Sequence, residues 1–133
     1  MRSVATIVFV VLALVGCGGG ATQADVAQTA GVRVVSARDA KALIASGDVT
    51  VIDVRTPEEF ATGHVVGATN INVESADFDA TIEKLDASDS YLVYCRSGRR
   101  SAMAADLMKT AGFTDVADAG GLDGLIAAGV ATQ

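Results

Sequence analysis

Two runs of the chain, 49–54 and 91–94, are almost unbroken in apolar side chains. Strands that are apolar on both faces have to be covered on both faces, as in the centre of a parallel sheet. Each run is followed by a pattern that starts a helix. After the first, Thr56 is placed to cap, Pro57 fits the first helical position, Glu59 completes a capping box, and Gly63 stops the helix. After the second comes Cys95 and then a helix over 100–111, with Ala104, Leu107, Met108 and Ala111 on one face and Gly112 behind it.

The rest of the chain repeats this alternation. A β-branched strand over 32–35 leads to Ser36-Ala37-Arg38-Asp39, a capped start for a helix with Ala40, Leu43 and Ile44 on one face and Gly47 as its stop. A brief strand is expected over 71–73. A helix capped by Ser75 follows over 76–85, with Phe78, Ile82 and Leu85 in register. A last strand over 114–117 and a last helix over 122–128 complete the chain. Repeated strand–helix units with short connections predict an α/β fold: a central parallel sheet with helices on both faces. With 133 residues there is material for one modest domain.

The first thirty residues stand apart. Residues 4–15 are nearly all apolar, too few for a comfortable permanent span, and only Arg2 precedes them. Leu14-Val15-Gly16-Cys17 resembles a bacterial lipobox, cut before the cysteine whose thiol then takes a diacylglycerol. The organisation expected is a lipoprotein signal peptide at 1–16, a flexible tether at 17–31 and one folded domain at 32–133. Gly18-Gly19-Gly20 suits such a tether, whose mean reach is on the order of 20 Å. The protein is then exported and lipid-anchored through Cys17, in the periplasm or on the outer face of the cell membrane. Nine basic residues against sixteen acidic ones give the mature chain a net charge of −7, a poor match for nucleic acid.

Cysteine use sharpens the functional reading. There are two, Cys17 and Cys95, and acylation of the first leaves the second without a disulfide partner. Cys95 sits at the carboxyl end of a buried strand, where ligands of open α/β sheets collect. The loop Arg96-Ser97-Gly98-Arg99-Arg100 carries it into a helix. Backbone amides in such a loop form an anion cradle, and a helix N-terminus with nearby guanidiniums lowers a thiol's pKa. Basic side chains at a helix start oppose its dipole, so Arg99 and Arg100 call for something negative nearby. A small anion is the expected ligand. One histidine and no second nearby thiol give no metal set, and no cofactor is called for.

The segment Cys95-Arg96-Ser97-Gly98-Arg99-Arg100-Ser101 resembles the active-site loop of single-domain rhodaneses. Val51-Ile52-Asp53-Val54-Arg55-Thr56-Pro57-Glu58-Glu59-Phe60, followed by Gly63-His64-Val65-Val66-Gly67-Ala68-Thr69-Asn70-Ile71, resembles the family's second signature, and Ala119-Gly120-Gly121-Leu122 its third. The resemblance covers about 32–130, departing at Leu125, where the family usually has tryptophan. It implies a rhodanese-like fold and sulfur transfer from thiosulfate or a similar donor to cyanide or a thiol, through a persulfide on Cys95. It also implies that Arg96, Ser97, Gly98, Arg99 and Arg100 bind the donor. Asp53, Arg55 and Ser101 then support the loop. Arg55 pairing with Glu59 is an equally open reading, and His64 reads as a structural hydrogen-bonding residue. Gly120 and Gly121 read as a turn and a place of close helix packing.

Two rival functions remain at this level. Cell-cycle-type phosphatases and arsenate reductases place an arginine six residues after the cysteine, where this chain has Ser101, with Arg100 one place early. The shorter loop disfavours phosphate. The other rival is a membrane-tethered persulfide carrier, or a redox or binding module, serving a protein partner.

Overall fold

The computed structural model describes residues 31–133; the leader, most of the tether and Cys17 lie outside the described residues. Five strands, β1 (Gly31–Val34), β2 (Thr50–Asp53), β3 (Thr69–Asn70), β4 (Ser90–Cys95) and β5 (Asp115–Gly121), form one sheet in the order β1-β5-β4-β2-β3. Every neighbouring pair is parallel. The helices are α1 (Ala37–Ser46), α2 (Pro57–Ala61), α3 (Phe78–Ile82), α4 (Arg99–Thr110) and α5 (Leu122–Ala127). The two strands read as buried from sequence, β2 and β4, lie side by side in the interior of the sheet.

Their side chains alternate between two cores, as the strand's period of two requires. Ile52, Val54, Tyr91, Val93 and Cys95 face Phe78 and Ile82 of α3 and Ala104, Ala105 and Met108 of α4. Val51, Leu92 and Tyr94 face Ala40 of α1 and Leu125 of α5. The sheet is thus covered on both faces, as the apolar runs demand. Leu125, which stands where the resemblance leads one to expect tryptophan, is fully buried in the second core. Among the described residues no helix is long and apolar enough to cross a membrane.

Local signals place the helix starts. Ser36 Oγ accepts from the Asp39 amide, and Gly47 closes α1 in the left-handed conformation. Thr56 and Glu59 form the reciprocal capping box, with Pro57 at the head of α2.

Four boundaries differ from those expected. Gly31 belongs to β1 rather than the tether, because its amide donates to Thr114 O at 2.9 Å. The ladder of β3 involves Thr69 and Asn70, while Ile71 and Val73, expected as the strand, are core residues just beyond it. The helix expected over 76–85 is only α3: Ser75 caps a preceding turn through Asp77 N, and i→i+3 turns at Lys84 and Leu85 end it. The strand expected to end at 117 runs on to Gly121, past three residues (Asp118, Gly120 and Gly121) of low strand propensity.

Candidate active site

β4 delivers Cys95 to the carboxyl edge of the sheet, and Arg96–Gly98 turn the chain into α4. Gly98 occupies the N-cap position at φ 96°, where a Cβ would be strained, and no side chain caps the helix. The cysteine sulfur stands at this helix start. Gly98 N–H donates to Cys95 Sγ at 2.9 Å, and Ser101 Oγ lies 3.7 Å from the sulfur and 3.0 Å from the Gly98 carbonyl oxygen. Cys95 itself is wholly buried and without a disulfide partner among the described residues. Burial alone pushes the thiol's pKa up. The Ser101 amide and hydroxyl, with the amides of Gly98 and Ser97, together outweigh it and hold the thiol below its ordinary range.

The loop is fixed from behind by β5. The β4–β5 register slips between Val93 and Cys95, so that Cys95 pairs with Gly121. Gly120 sits in this bulge at φ 74°, its amide held by Asp118 Oδ1 at 3.0 Å. A Cβ on Gly121 would stand 2.6 Å from Arg96 O. Gly120 thus makes the turn expected of it through its positive φ, while Gly121 serves close backbone approach to the cysteine loop and not the helix packing expected of it. Asp118 and Tyr94 were not singled out from sequence; only their partners, distant in the chain, reveal their roles.

Asp53 and Arg55, two of the three residues expected to support the loop, form a buried knot at the end of β2. Arg55 binds Asp53 through two oxygens, at 2.6–3.0 Å, and donates to Gly63 O at 2.7 Å. Tyr94 OH donates to Asp53 Oδ2 at 2.6 Å and accepts from Val65 N at 3.0 Å. Asn70 Nδ2 donates to the carbonyls of Asp53 and Arg55. Desolvation, helped by the Asp53 hydrogen bond, pushes the Tyr94 hydroxyl's pKa up, so it stays a donor. His64 is structural, as read from sequence: its ring stacks on Phe60 at 3.6 Å and Nδ1 bonds Phe60 O at 2.9 Å.

The alternative pairing of Arg55 with Glu59 does not form, because Glu59 is taken by Arg100. Arg100 Nη1 and Nη2 reach Glu59 Oε2 and Oε1 at 2.6 and 2.8 Å, and Nη1 reaches Glu74 at 3.3 Å. The negative charge that a basic helix start calls for is thus the protein's own at Arg100. Arg96 and Arg99 are exposed and pair with no carboxylate among the described residues. Two clefts open beside the loop. One of about 410 Å³ is lined by Arg55, Glu59, Arg96 and Leu122 among others; one of about 370 Å³ by Glu74, Ser97, Arg99, Arg100 and Met103. Among the described residues no cluster of metal-ligating side chains occurs. The arrangement offers a sulfur nucleophile whose thiol ionises more readily than usual, an amide cradle and two guanidiniums without carboxylate partners among the described residues: a site for attack on a small anion.

Comparison with known proteins agrees with this chemistry. Residues 36–128 match the family described as Rhodanese-like domain. Thiosulfate sulfurtransferase PspE of Escherichia coli is 39% identical, the match covering 53% of this chain and 68% of that protein. The human thiosulfate:glutathione sulfurtransferase is 37% identical over 64% of this chain and 84% of its own. Among solved structures, a rhodanese-related protein of Thermoplasma volcanium superposes with a TM-score of 0.67 at 29% identity, covering 76% of this chain and 97% of that one.

Proposed function

Since the chain belongs to the rhodanese-like family, we propose that its sulfurtransferase chemistry takes the following course at Cys95. The Sγ thiolate attacks the outer sulfur of thiosulfate. The bond between the two donor sulfurs breaks, its electron pair leaves with sulfite, and the outer sulfur stays on Cys95 as a persulfide. A thiolate or cyanide then attacks the terminal sulfur, and the Cys95–sulfur bond breaks to regenerate the thiolate. The lowered thiol pKa favours the thiolate, which attacks without a general base. The amides that hold the thiolate also stabilise the persulfide anion in a water-poor site. Arg96 and Arg99, which pair with no carboxylate among the described residues, draw the dianionic donor to the loop. Cys95 is buried, so the exposed side chains of the loop must part for the donor to reach it.

The observation carrying this reading is the sulfur at the N-terminus of α4, 2.9 Å from the Gly98 amide. Intact-protein mass spectrometry after incubation with thiosulfate tests it. A gain of one sulfur atom, absent in Cys95→Ser and discharged by cyanide over many turnovers, is the expected result. A sulfur retained in cyanide and released to one protein partner alone would make the protein a carrier.

The lipobox-like Leu14-Val15-Gly16-Cys17 supports placing this activity at a bacterial membrane surface, with Cys17 acylated and the domain outside the cytoplasm. The thirteen residues between Cys17 and β1 suit a tether.

A further inference from the structure

We infer that Glu59 is a positioning residue for sulfur transfer, acting through Arg100 on the shape of the cysteine loop. The inference deepens the sulfur-transfer reading and rests on it. Glu59 is committed in two directions at once. Its Oε2 accepts from Thr56 N at 3.2 Å and so closes the capping box of α2. Both of its oxygens also hold the guanidinium of Arg100, the second residue of α4. One carboxylate therefore ties the start of α2, which follows β2, to the first turn of the helix whose opening amides face the sulfur. Glu74 adds a third contact to the same guanidinium.

The chemistry of the pair fits positioning better than donor binding. A bidentate Arg–carboxylate fork fixes orientation as well as charge. The Arg100 fork holds the Glu59 carboxyl down to about 2, and the guanidinium is correspondingly stabilised in its charged form. A guanidinium whose charge is met by two carboxylates has little left for a dianion, whereas Arg96 and Arg99 meet none among the described residues. Ser101, which reaches toward the sulfur, is one residue beyond Arg100. Loss of the fork thus loosens the cradle at its helical end.

The test combines Glu59→Ala, Glu59→Gln, Arg100→Ala and the double alanine variant. Mass spectrometry with thiosulfate is done first on the wild-type protein, so that failure of the sulfur-transfer reading shows there, before any variant is made. For each variant, kcat and KM for thiosulfate, the pKa of Cys95 from the pH dependence of alkylation, and the melting temperature are measured. Expected are a fall in kcat of at least about tenfold in either single alanine variant, with KM within about twofold, and no further loss in the double variant. Glu59→Gln, which keeps the volume and one acceptor oxygen, recovers part of kcat; it also carries the test if the alanine variant melts too low to assay.

The sign of the thiol shift is decisive. Freeing Arg100 in Glu59→Ala leaves its positive charge met by Glu74 alone, which by charge alone lowers the thiol pKa, while a loosened cradle raises it. A rise in Glu59→Ala supports positioning. A fall overturns it, as does a decrease in KM on Glu59→Ala paired with an increase on Arg100→Ala, the pattern of a donor-binding arginine. Unchanged kcat in folded Glu59→Ala also overturns it.

Discussion

Gly121→Ala isolates the role of backbone approach behind the cysteine. At φ −97° the residue has ordinary extended backbone, so alanine brings no conformational strain. Its methyl group, however, would stand 2.6 Å from Arg96 O and 3.3 Å from Ser97 Cα. Restoring ordinary contact requires roughly 0.8 Å of retreat between β5 and the loop in a close-packed region. Arg96 and Ser97 are the short, exposed side of that contact; β5 is paired with β1 and β4 over Asp115–Asp118 and again with β4 at Gly121. The loop therefore yields, carrying the Ser97 and Gly98 amides away from the sulfur. Displacements near 1 Å at a reacting centre cost about 10²-fold in rate, so a loss in kcat of roughly 30- to 100-fold is expected. Thiosulfate–cyanide steady-state kinetics and thermal melting, run in parallel, measure it. Gly124→Ala is the control: nothing lies within 4 Å of its added methyl and it sits inside α5, so up to about 1 kcal/mol of added stability and unchanged kinetics are expected. Wild-type kcat in a folded Gly121→Ala protein would refute the reasoning, because β5 would then have moved in place of the loop.

Four further outcomes follow, three from the same geometry and the last from the sequence. The Cys95 thiol is held below its ordinary range, so kcat/KM for thiosulfate should lose activity on acidification through a pKa below that of a free thiol, and pH-resolved alkylation should report the same value. Glu59 has a folded pKa of about 2 against 4.5, so its contribution to stability is present above 4.5 and lost as pH falls toward 2; Glu59→Gln should destabilise at pH 6 in urea melts and cease to differ near pH 2. Tyr94→Phe leaves the buried Val65 amide and one Asp53 oxygen without their phenolic partner, which should cost about 1–3 kcal/mol by chemical denaturation. Cys17→Ala should shift the protein from membrane to soluble fractions; unchanged partitioning would remove the lipid anchor from the reading.

Much of this protein was written along the chain. The runs 49–54 and 91–94 determined a covered parallel sheet, because a strand apolar on both faces has no other stable home. Thr56-Pro57-Glu58-Glu59 and Ser36 determined two helix starts, since caps are satisfied within three or four residues. Cys95 followed by a glycine-containing basic loop determined where the nucleophile sits, because its electrostatics come from amides two to six residues away. What depended on distant partners was decided only by the fold. Arg55 had Asp53 and Glu59 equally within reach along the chain, and the guanidinium of Arg100, 41 residues from Glu59, settled the choice by occupying Glu59. Gly121 lay in a segment too poor in strand formers to read as a strand, yet the ladder to Cys95 holds it against Arg96. Local signals act through neighbouring backbone dihedrals and hydrogen bonds, which sequence spacing encodes; ion pairing and close approach between β-α units depend on the register of the whole sheet, which no single segment carries.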